Sequence, residues 1–133
     1  MKLLLDTHLL LWAAGSADEP VTGSLPAKAA ALIDDDTNLL HFSAASIWEV
    51  AIKFALGRAD FTADPHLLRR GLLDNGYVEI AVTSEHAAAV ASLPPIHKDP
   101  FDRLLVAQAI AEGLTLITVD AMLARYPGPI RAL

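Results

Sequence analysis

The sequence predicts an α/β fold with a mostly parallel central sheet flanked by helices. Short apolar runs alternate with segments of helical periodicity, which is the element order of such folds. The first run has leucine at three successive positions, Leu3–Leu5, and this pattern is typical of a strand that is covered on both faces. The chain has 133 residues, of which 53% are hydrophobic. We therefore expect one domain spanning residues 1–133 with a substantial core.

The elements of the N-terminal half are set by apolar periodicity and by glycine and proline breaks. The predicted order is a strand at 2–6, a helix at 7–14, a loop at 15–26, a helix at 27–35, a strand at 38–42 and a helix at 43–56. Apolar residues at i, i+3 and i+4 spacing support the last helix, and Gly57 ends it.

The C-terminal half continues the alternation. The predicted order is a helix at 65–74, a strand at 77–82, a helix at 83–92, a helix at 99–112, a strand at 114–119 and a short final helix that reaches residue 125. Asn75-Gly76 marks a turn, Pro94-Pro95 stops a helix, and Gly113 follows the clearest helix of the chain.

Composition excludes several classes of protein. Ten Lys and Arg residues against 16 Asp and Glu residues give a net charge of −6, which argues against a polybasic nucleic-acid or membrane-surface protein. There is no cysteine, so thiol catalysis and cysteine metal sites are excluded. No apolar run approaches the length of a membrane span or a signal-peptide core, and we expect a soluble, cytoplasmic protein.

Four acidic residues stand at element boundaries: Asp6, Glu49, Asp102 and Asp120. Each has a purely structural interpretation. Asp6 and Asp120 can cap the helices that follow, and Glu49 fits a capping box that begins at Ser46. Asp102 lies in the first turn of a helix that Asp99 caps, where the helix dipole favours an acid. Taken singly, capping is the better explanation of each one.

The four acids together favour a different explanation. Asp6 and Asp120 end predicted parallel strands, and ligands of open parallel sheets bind at that edge. Glu49 and Asp102 lie in first helical turns, which begin at the same edge. Clustered carboxylates repel one another, and a divalent cation relieves this repulsion. Ligation by oxygen alone suits Mg²⁺ or Mn²⁺, which serve phosphoryl chemistry.

Four blocks of the chain match a known family: Leu5–Trp12, Ser43–Lys53, His97–Ala109 and Leu116–Asp120. In this order, and over nearly the whole chain, they resemble the PIN domain family, most closely the VapC-type ribonuclease toxins of type II toxin–antitoxin systems. Each block is short and weak alone, but the four together are specific. The resemblance implies a PIN-like three-layer sandwich.

The resemblance also implies a metal-dependent endoribonuclease. Asp6, Glu49 and Asp102 match the family's three core acidic metal ligands, Asp120 matches its fourth, less uniform acid, and Thr118 matches the neighbouring hydroxyl position. The implied cofactor is Mg²⁺ or Mn²⁺. The implied partners are an RNA substrate, a cognate antitoxin protein and a second copy in a homodimer.

Other residues receive plainer interpretations. His8 and His97 lie near the acids, but packing or solvent exposure explains them better than metal ligation. Trp12 and Trp48 fall on apolar helix faces and are predicted to be core. Lys98 and Arg103 bracket Asp102 and are the best candidates to contact phosphates. Ordinary solvated surface explains either one equally well. Further basic residues that can flank the cleft are Lys53, Arg58, Arg69 and Arg70.

Two alternatives remain open. A haloacid-dehalogenase-type phosphatase requires a second Asp two residues after the first, where this chain has His8. A non-catalytic binding module that kept the fold is disfavoured, although not excluded, by the presence of all four acids.

Overall fold

A computed structural model describes residues 1–14 and 25–133. Within these ranges five strands and six α-helices alternate along the chain. The strands are β1 (Lys2–Leu5), β2 (Leu39–Ser43), β3 (Val78–Ile80), β4 (Thr115–Thr118) and β5 (Ile130–Ala132). The helices are α1 (Thr7–Ala14), α2 (Ala27–Asp34), α3 (Ala44–Ala55), α4 (Pro65–Asp74), α5 (Ser84–Ala89) and α6 (Pro100–Glu112).

The five strands form one parallel sheet in the order β3-β2-β1-β4-β5. From the central strand β1, the chain first adds β2 and β3 on one side and later β4 and β5 on the other. The strand order therefore reverses between β1 and β4, and ligands of open α/β sheets bind at the carboxyl edge of such a switch point. The predicted α/β class and the parallel sheet are confirmed.

The sheet is buried on both faces, as the unbroken run of leucines in β1 predicted. Leu3 and Leu5 belong to a cluster that contains residues of α1, α2, α3 and α4. Leu4 points the other way, into a cluster with Leu105 and Val106 of α6. All three leucines of β1 are 1% exposed or less, so packed side chains cover both faces of this strand.

The sequence predictions differ from the structure mainly at element ends. Strand β5 was not predicted, because its three residues follow a glycine–proline turn and form no apolar run. The predicted helix 83–92 is α5 followed by a 3₁₀ turn, and the final short helix is also a 3₁₀ turn. The predicted loop 15–26 lies outside the described residues except for Leu25 and Pro26. Among the described residues, no helix is long and apolar enough to span a bilayer.

Two predictions about α3 are wrong. Its N-cap is Ser43, whose hydroxyl accepts the Ala45 N–H, so Ser46 and Glu49 do not form a capping box. Trp48 was predicted to be core but is 60% exposed. The buried face of α3 carries Ser46 and Glu49, and burying these polar residues turns Trp48 outward. Trp12, by contrast, is half-buried against the first cluster.

Candidate metal centre

Asp6 lies at the switch point of the sheet, directly after β1. Its Oδ1 accepts the Leu9 N–H at 2.9 Å, which caps α1. Its Oδ2 accepts the Thr118 hydroxyl at 2.6 Å and the Val119 N–H at 3.2 Å, both from the end of β4. Asp6 is 4% exposed, and this burial raises the pKa of its carboxyl, partly offset by the hydrogen bonds. The capping interpretation is therefore confirmed, and the metal-ligand interpretation of this residue stays a prediction.

Glu49 reaches the same edge from the first half of α3 and is 3% exposed. Its Oε1 lies 2.7 Å from the Thr7 hydroxyl, which also lies 3.0 Å from the Ser46 hydroxyl. Its Oε2 accepts a hydrogen bond from the Lys53 ammonium, one helical turn further along α3. The two carboxylate oxygens are thus held by a hydroxyl and by a cation. Thr7 and Lys53 fix Glu49; the Lys53 contact has the i,i+4 spacing of a helical ion pair, whereas no spacing predicts the Thr7 contact.

Asp102 differs from these two acids because its carboxylate accepts no hydrogen bond from a described residue. The Asp99 side chain takes the capping role by accepting the Phe101 N–H at 2.8 Å and the Asp102 N–H at 3.3 Å. Burial is the main reason that the pKa of Asp102 is raised to about 7; the nearby Asp99, Glu49 and Asp6 carboxylates add to the rise, and His97 opposes it. Burial and neighbouring negative charge thus both disfavour the ionised carboxylate.

Asp120 follows β4 and is linked to Asp102 through His97. The His97 Nδ1 accepts the Asp99 N–H at 3.0 Å, so in the neutral ring the proton is on Nε2. That Nε2 lies 2.8 Å from Asp120 Oδ2 and 3.6 Å from Asp102 Oδ2. Asp120 Oδ1 accepts the Met122 N–H at 2.9 Å, but the following 3₁₀ turn, Leu123–Arg125, has Met122 as its N-cap, so the prediction that Asp120 caps a helix is wrong. His97 was expected to be packing or surface, but it contacts the site.

The four predicted acids are brought to one edge, but not into one four-carboxylate cluster. Of the His and acidic residues described, only His97, Asp102 and Asp120 place ligand atoms within 4.8 Å of one another. Asp6 and Glu49 lie outside this group, yet close enough for their charge to raise the pKa of Asp102. The sequence analysis missed His97 because this residue lies five positions before Asp102, on the other side of the start of α6, so no helical periodicity links the two.

The predicted phosphate contacts have different surroundings. Lys98 is exposed and makes no hydrogen bond or ion pair with another described residue. Arg103 is half-buried, and its guanidinium donates to the Pro94 carbonyl, the Val90 carbonyl and the Tyr126 hydroxyl at 3.0–3.1 Å. These bonds give Arg103 a structural role and leave Lys98 as the freer cation beside Asp102. The contacts of both residues with RNA stay predictions.

The donor set fits a hard divalent cation. Carboxylate oxygens are the ligands that Mg²⁺ and Mn²⁺ prefer. Asp102 offers an oxygen pair that accepts no hydrogen bond from the described chain, and a bound cation would offset both the burial and the neighbouring carboxylates that disfavour its ionisation. The Lys53 ammonium contacts Glu49, and the His97 Nε2 lies 2.8 Å from Asp120 Oδ2. Asp102 and Asp120, with His97, form the converging ligand group, Asp6 and Glu49 line the same edge, and ligation of the ion by all four acids stays a prediction.

The chain is similar to known proteins in sequence family and in fold. A family model described as the PIN domain matches residues 3–129. The structure resembles a crystal structure of VapBC2 from Rickettsia felis bound to a DNA fragment from their promoter, with a TM-score of 0.66. The two chains are 16% identical, and the alignment covers 99% of this chain and 98% of the other. This likeness shows the fold. No curated protein sequence matches significantly.

Proposed function

Since this chain belongs to the PIN domain family, we propose that it is a metal-dependent ribonuclease and the toxin of a toxin–antitoxin pair. The reaction is hydrolysis of an RNA phosphodiester bond, in which water adds to phosphorus and one P–O ester bond breaks. The observation that supports this most directly is the convergence of Asp6, Glu49 and Asp102 at the carboxyl edge of the sheet. There burial, with the neighbouring carboxylates, raises the pKa of Asp102 to about 7.

The proposed roles follow from how each side chain is held. Bound Mg²⁺ or Mn²⁺ would stabilise negative charge that develops on the phosphate. Asp6 and Glu49 are fixed by hydrogen bonds from Thr118 and from Thr7, so they present oxygens without losing rotamer freedom on binding. Asp102 supplies carboxylate oxygens that accept no hydrogen bond from described residues. Asp120 is oriented by the His97 Nε2–H.

The antitoxin and a second copy of the chain are proposed as protein partners. Support comes from the fold likeness to a structure that contains VapBC2. The net charge of −6 makes a basic segment of the antitoxin the natural occupant of the acidic edge, because opposite charges favour encounter. Sedimentation equilibrium of the purified chain tests the homodimer directly, and a monomer at all concentrations would refute it.

Cleavage of a fluorogenic single-stranded RNA and of total bacterial RNA tests the activity. The protein is first stripped with a chelator and then assayed with Mg²⁺, with Mn²⁺ and without either ion. We expect cleavage only with an added ion, and a loss of at least about 100-fold in Asp6→Asn or Asp102→Asn, because removing a group that stabilises transition-state charge costs about that much.

An exposed acid provides the matched control. Asp36 lies in the turn before β2, on the surface and outside the site, so Asp36→Asn removes one negative charge without touching the carboxyl edge. We expect it to cleave at the native rate. Full activity in a folded Asp102→Asn protein would refute the ribonuclease proposal. Ion binding without cleavage of any RNA would instead favour the non-catalytic binding module.

A further inference from the structure

An aromatic pair, the exposed Trp48 and the half-buried Phe101, lies beside the candidate metal centre. The ring of Trp48 meets the ring of Phe101 edge-to-face, with centroids 5.2 Å apart and an interplanar angle of 73°. Trp48 is 60% exposed although it is the largest side chain of α3. In an edge-to-face pair at least one face of each ring is not covered by the other ring. The pair therefore offers an aromatic surface to solvent rather than to the core.

This pair is continuous with the metal centre in sequence and in space. Trp48 directly precedes Glu49, and Phe101 directly precedes Asp102. The Lys53 ammonium that contacts Glu49 lies 6.0 Å from the centre of the Phe101 ring. A ligand that places a phosphate at the carboxylates would thus bring its neighbouring groups over the aromatic pair. Nothing in α3's packing requires tryptophan at this exposed position.

Two cations near the site are committed to the protein itself, and in the part of the chain that the structure describes Lys98 is the free cation beside Asp102. Lys53 contacts Glu49, and Arg103 donates three hydrogen bonds to protein acceptors. A chain of net charge −6 with few uncommitted cations at its site gains little from phosphate contacts. Binding of RNA then depends more on contacts with the bases, which carry no charge.

We propose that Trp48, supported by Phe101, stacks on an unpaired base of single-stranded RNA next to the scissile phosphate. The proposal rests on the ribonuclease function and deepens it by naming a residue that positions the RNA. Aromatic stacking is sequence-tolerant because every base has a π-face, and it requires that the base be splayed out of a helix. Paired RNA cannot present such a base, so the platform selects loops and single strands.

A stripe of exposed apolar residues along α3 suggests a competing explanation, namely that Trp48 belongs to a protein interface. Ile52 and Leu56 follow Trp48 at i+4 and i+8 and are 37% and 70% exposed. A protein partner that docks along this stripe would contact Leu56 as well as Trp48. A base that stacks beside the metal centre would contact Trp48 and not Leu56, which is two helical turns away from it. The two variants therefore separate a nucleic-acid platform from a protein interface.

The experiment measures stacking without cleavage. A short single-stranded RNA that contains one 2-aminopurine is titrated into the protein in the presence of a chelator, and the fluorescence of the base reports its stacking. We compare the native chain with Trp48→Leu, which keeps apolar area but loses the ring, with Trp48→Phe, which keeps a ring, and with Leu56→Ala. Thermal melts of each variant confirm that it is folded.

The native protein and Leu56→Ala are expected to quench 2-aminopurine with the same affinity. Trp48→Leu should bind about 5- to 100-fold more weakly and lose the quenching, and Trp48→Phe should recover part of both. Equal quenching by a folded Trp48→Leu protein would overturn the proposal. So would a loss of native self-association in both Trp48→Leu and Leu56→Ala with RNA binding unchanged, since the stripe would then be a protein interface. A separate result, the absence of ion-dependent RNA cleavage by the native chain, would refute the ribonuclease function itself.

Discussion

The replacement Asp102→Asn should change how the stability of the ion-free protein depends on pH. Burial and three neighbouring carboxylates raise the pKa of Asp102 from its ordinary value of 3.8 to about 7 in the folded chain. Between these values the folded state binds a proton that the unfolded state has lost. The free energy of unfolding of the native protein should therefore fall as the pH rises through this window, and the loss should be complete above about pH 7.

The magnitude follows from the two pKa values. Raising a carboxyl pKa from 3.8 to about 7 corresponds to about 4 kcal/mol. The side chain is 21% exposed, so water screens part of this and the figure is an upper bound. The amide of Asp102→Asn does not ionise. The free energy of unfolding of this variant, relative to the native value, should therefore rise by up to that amount between about pH 4 and about pH 8. Whatever the amide costs in packing is the same at each pH.

Urea denaturation of the chelator-stripped proteins across this pH range measures the difference, with Asp36→Asn as the control. The control should follow the native curve. Addition of Mn²⁺ at about pH 8 should stabilise the native protein and leave Asp102→Asn nearly unchanged, because binding to the folded state alone is stabilising. Parallel curves for the native protein and Asp102→Asn would refute the account of crowded carboxylates.

Three further predictions concern the supports of the site and the end of α6. Lys53→Met removes the cation that contacts buried Glu49 and should destabilise the ion-free protein by about 3 kcal/mol. Added Mn²⁺ should restore more stability to this variant than it adds to the native chain, and thermal melts with and without the ion measure both effects. An equal response to Mn²⁺ would contradict this. Thr118→Val removes the hydroxyl that donates to Asp6 and should cost about 2 kcal/mol in urea denaturation, with a further rise in the pKa of Asp6. An unchanged midpoint would argue against that bond. Gly113→Ala should cost about 1 kcal/mol and leave RNA cleavage intact, because Gly113 has a φ of +66° that disfavours side chains and no atom lies within contact of an added Cβ. A neutral effect on the melting temperature would contradict it.

The fold was predictable because its signals are local. The continuous leucines of β1 specify a strand covered on both faces, and the alternation of strands with helices specifies parallel pairing. Asp99-Pro100 and Gly113 mark the ends of α6 because each satisfies a backbone requirement at a helix terminus. Strand β5 escaped prediction because it is three residues long and gains its pairing only from the sheet edge formed by β4.

The candidate site was predictable in its acids and not in their partners. Because the carboxyl ends of parallel strands lie at the same edge of a sheet, Asp6 and Asp120 are placed at that edge irrespective of loop conformation. The contact of Glu49 with Lys53 has the i,i+4 spacing of a helical ion pair and was overlooked, whereas the contact of His97 with Asp120 depends on side-chain directions that no spacing encodes. The exposure of Trp48 was missed for a related reason. Apolar periodicity predicts that a helix has a buried face, but on α3 the polar residues of the site are the ones that face inward.

Calorimetric titration of Mn²⁺ into the chelator-stripped protein tests the central claim, that carboxylates at this sheet edge hold a divalent cation. The native chain and Asp36→Asn should bind the ion with equal affinity. Asp102→Asn should bind at least about tenfold more weakly, which is a loss of about 1.4 kcal/mol for a removed charged ligand. No binding by the native chain, or equal binding by a folded Asp102→Asn protein, would contradict the claim.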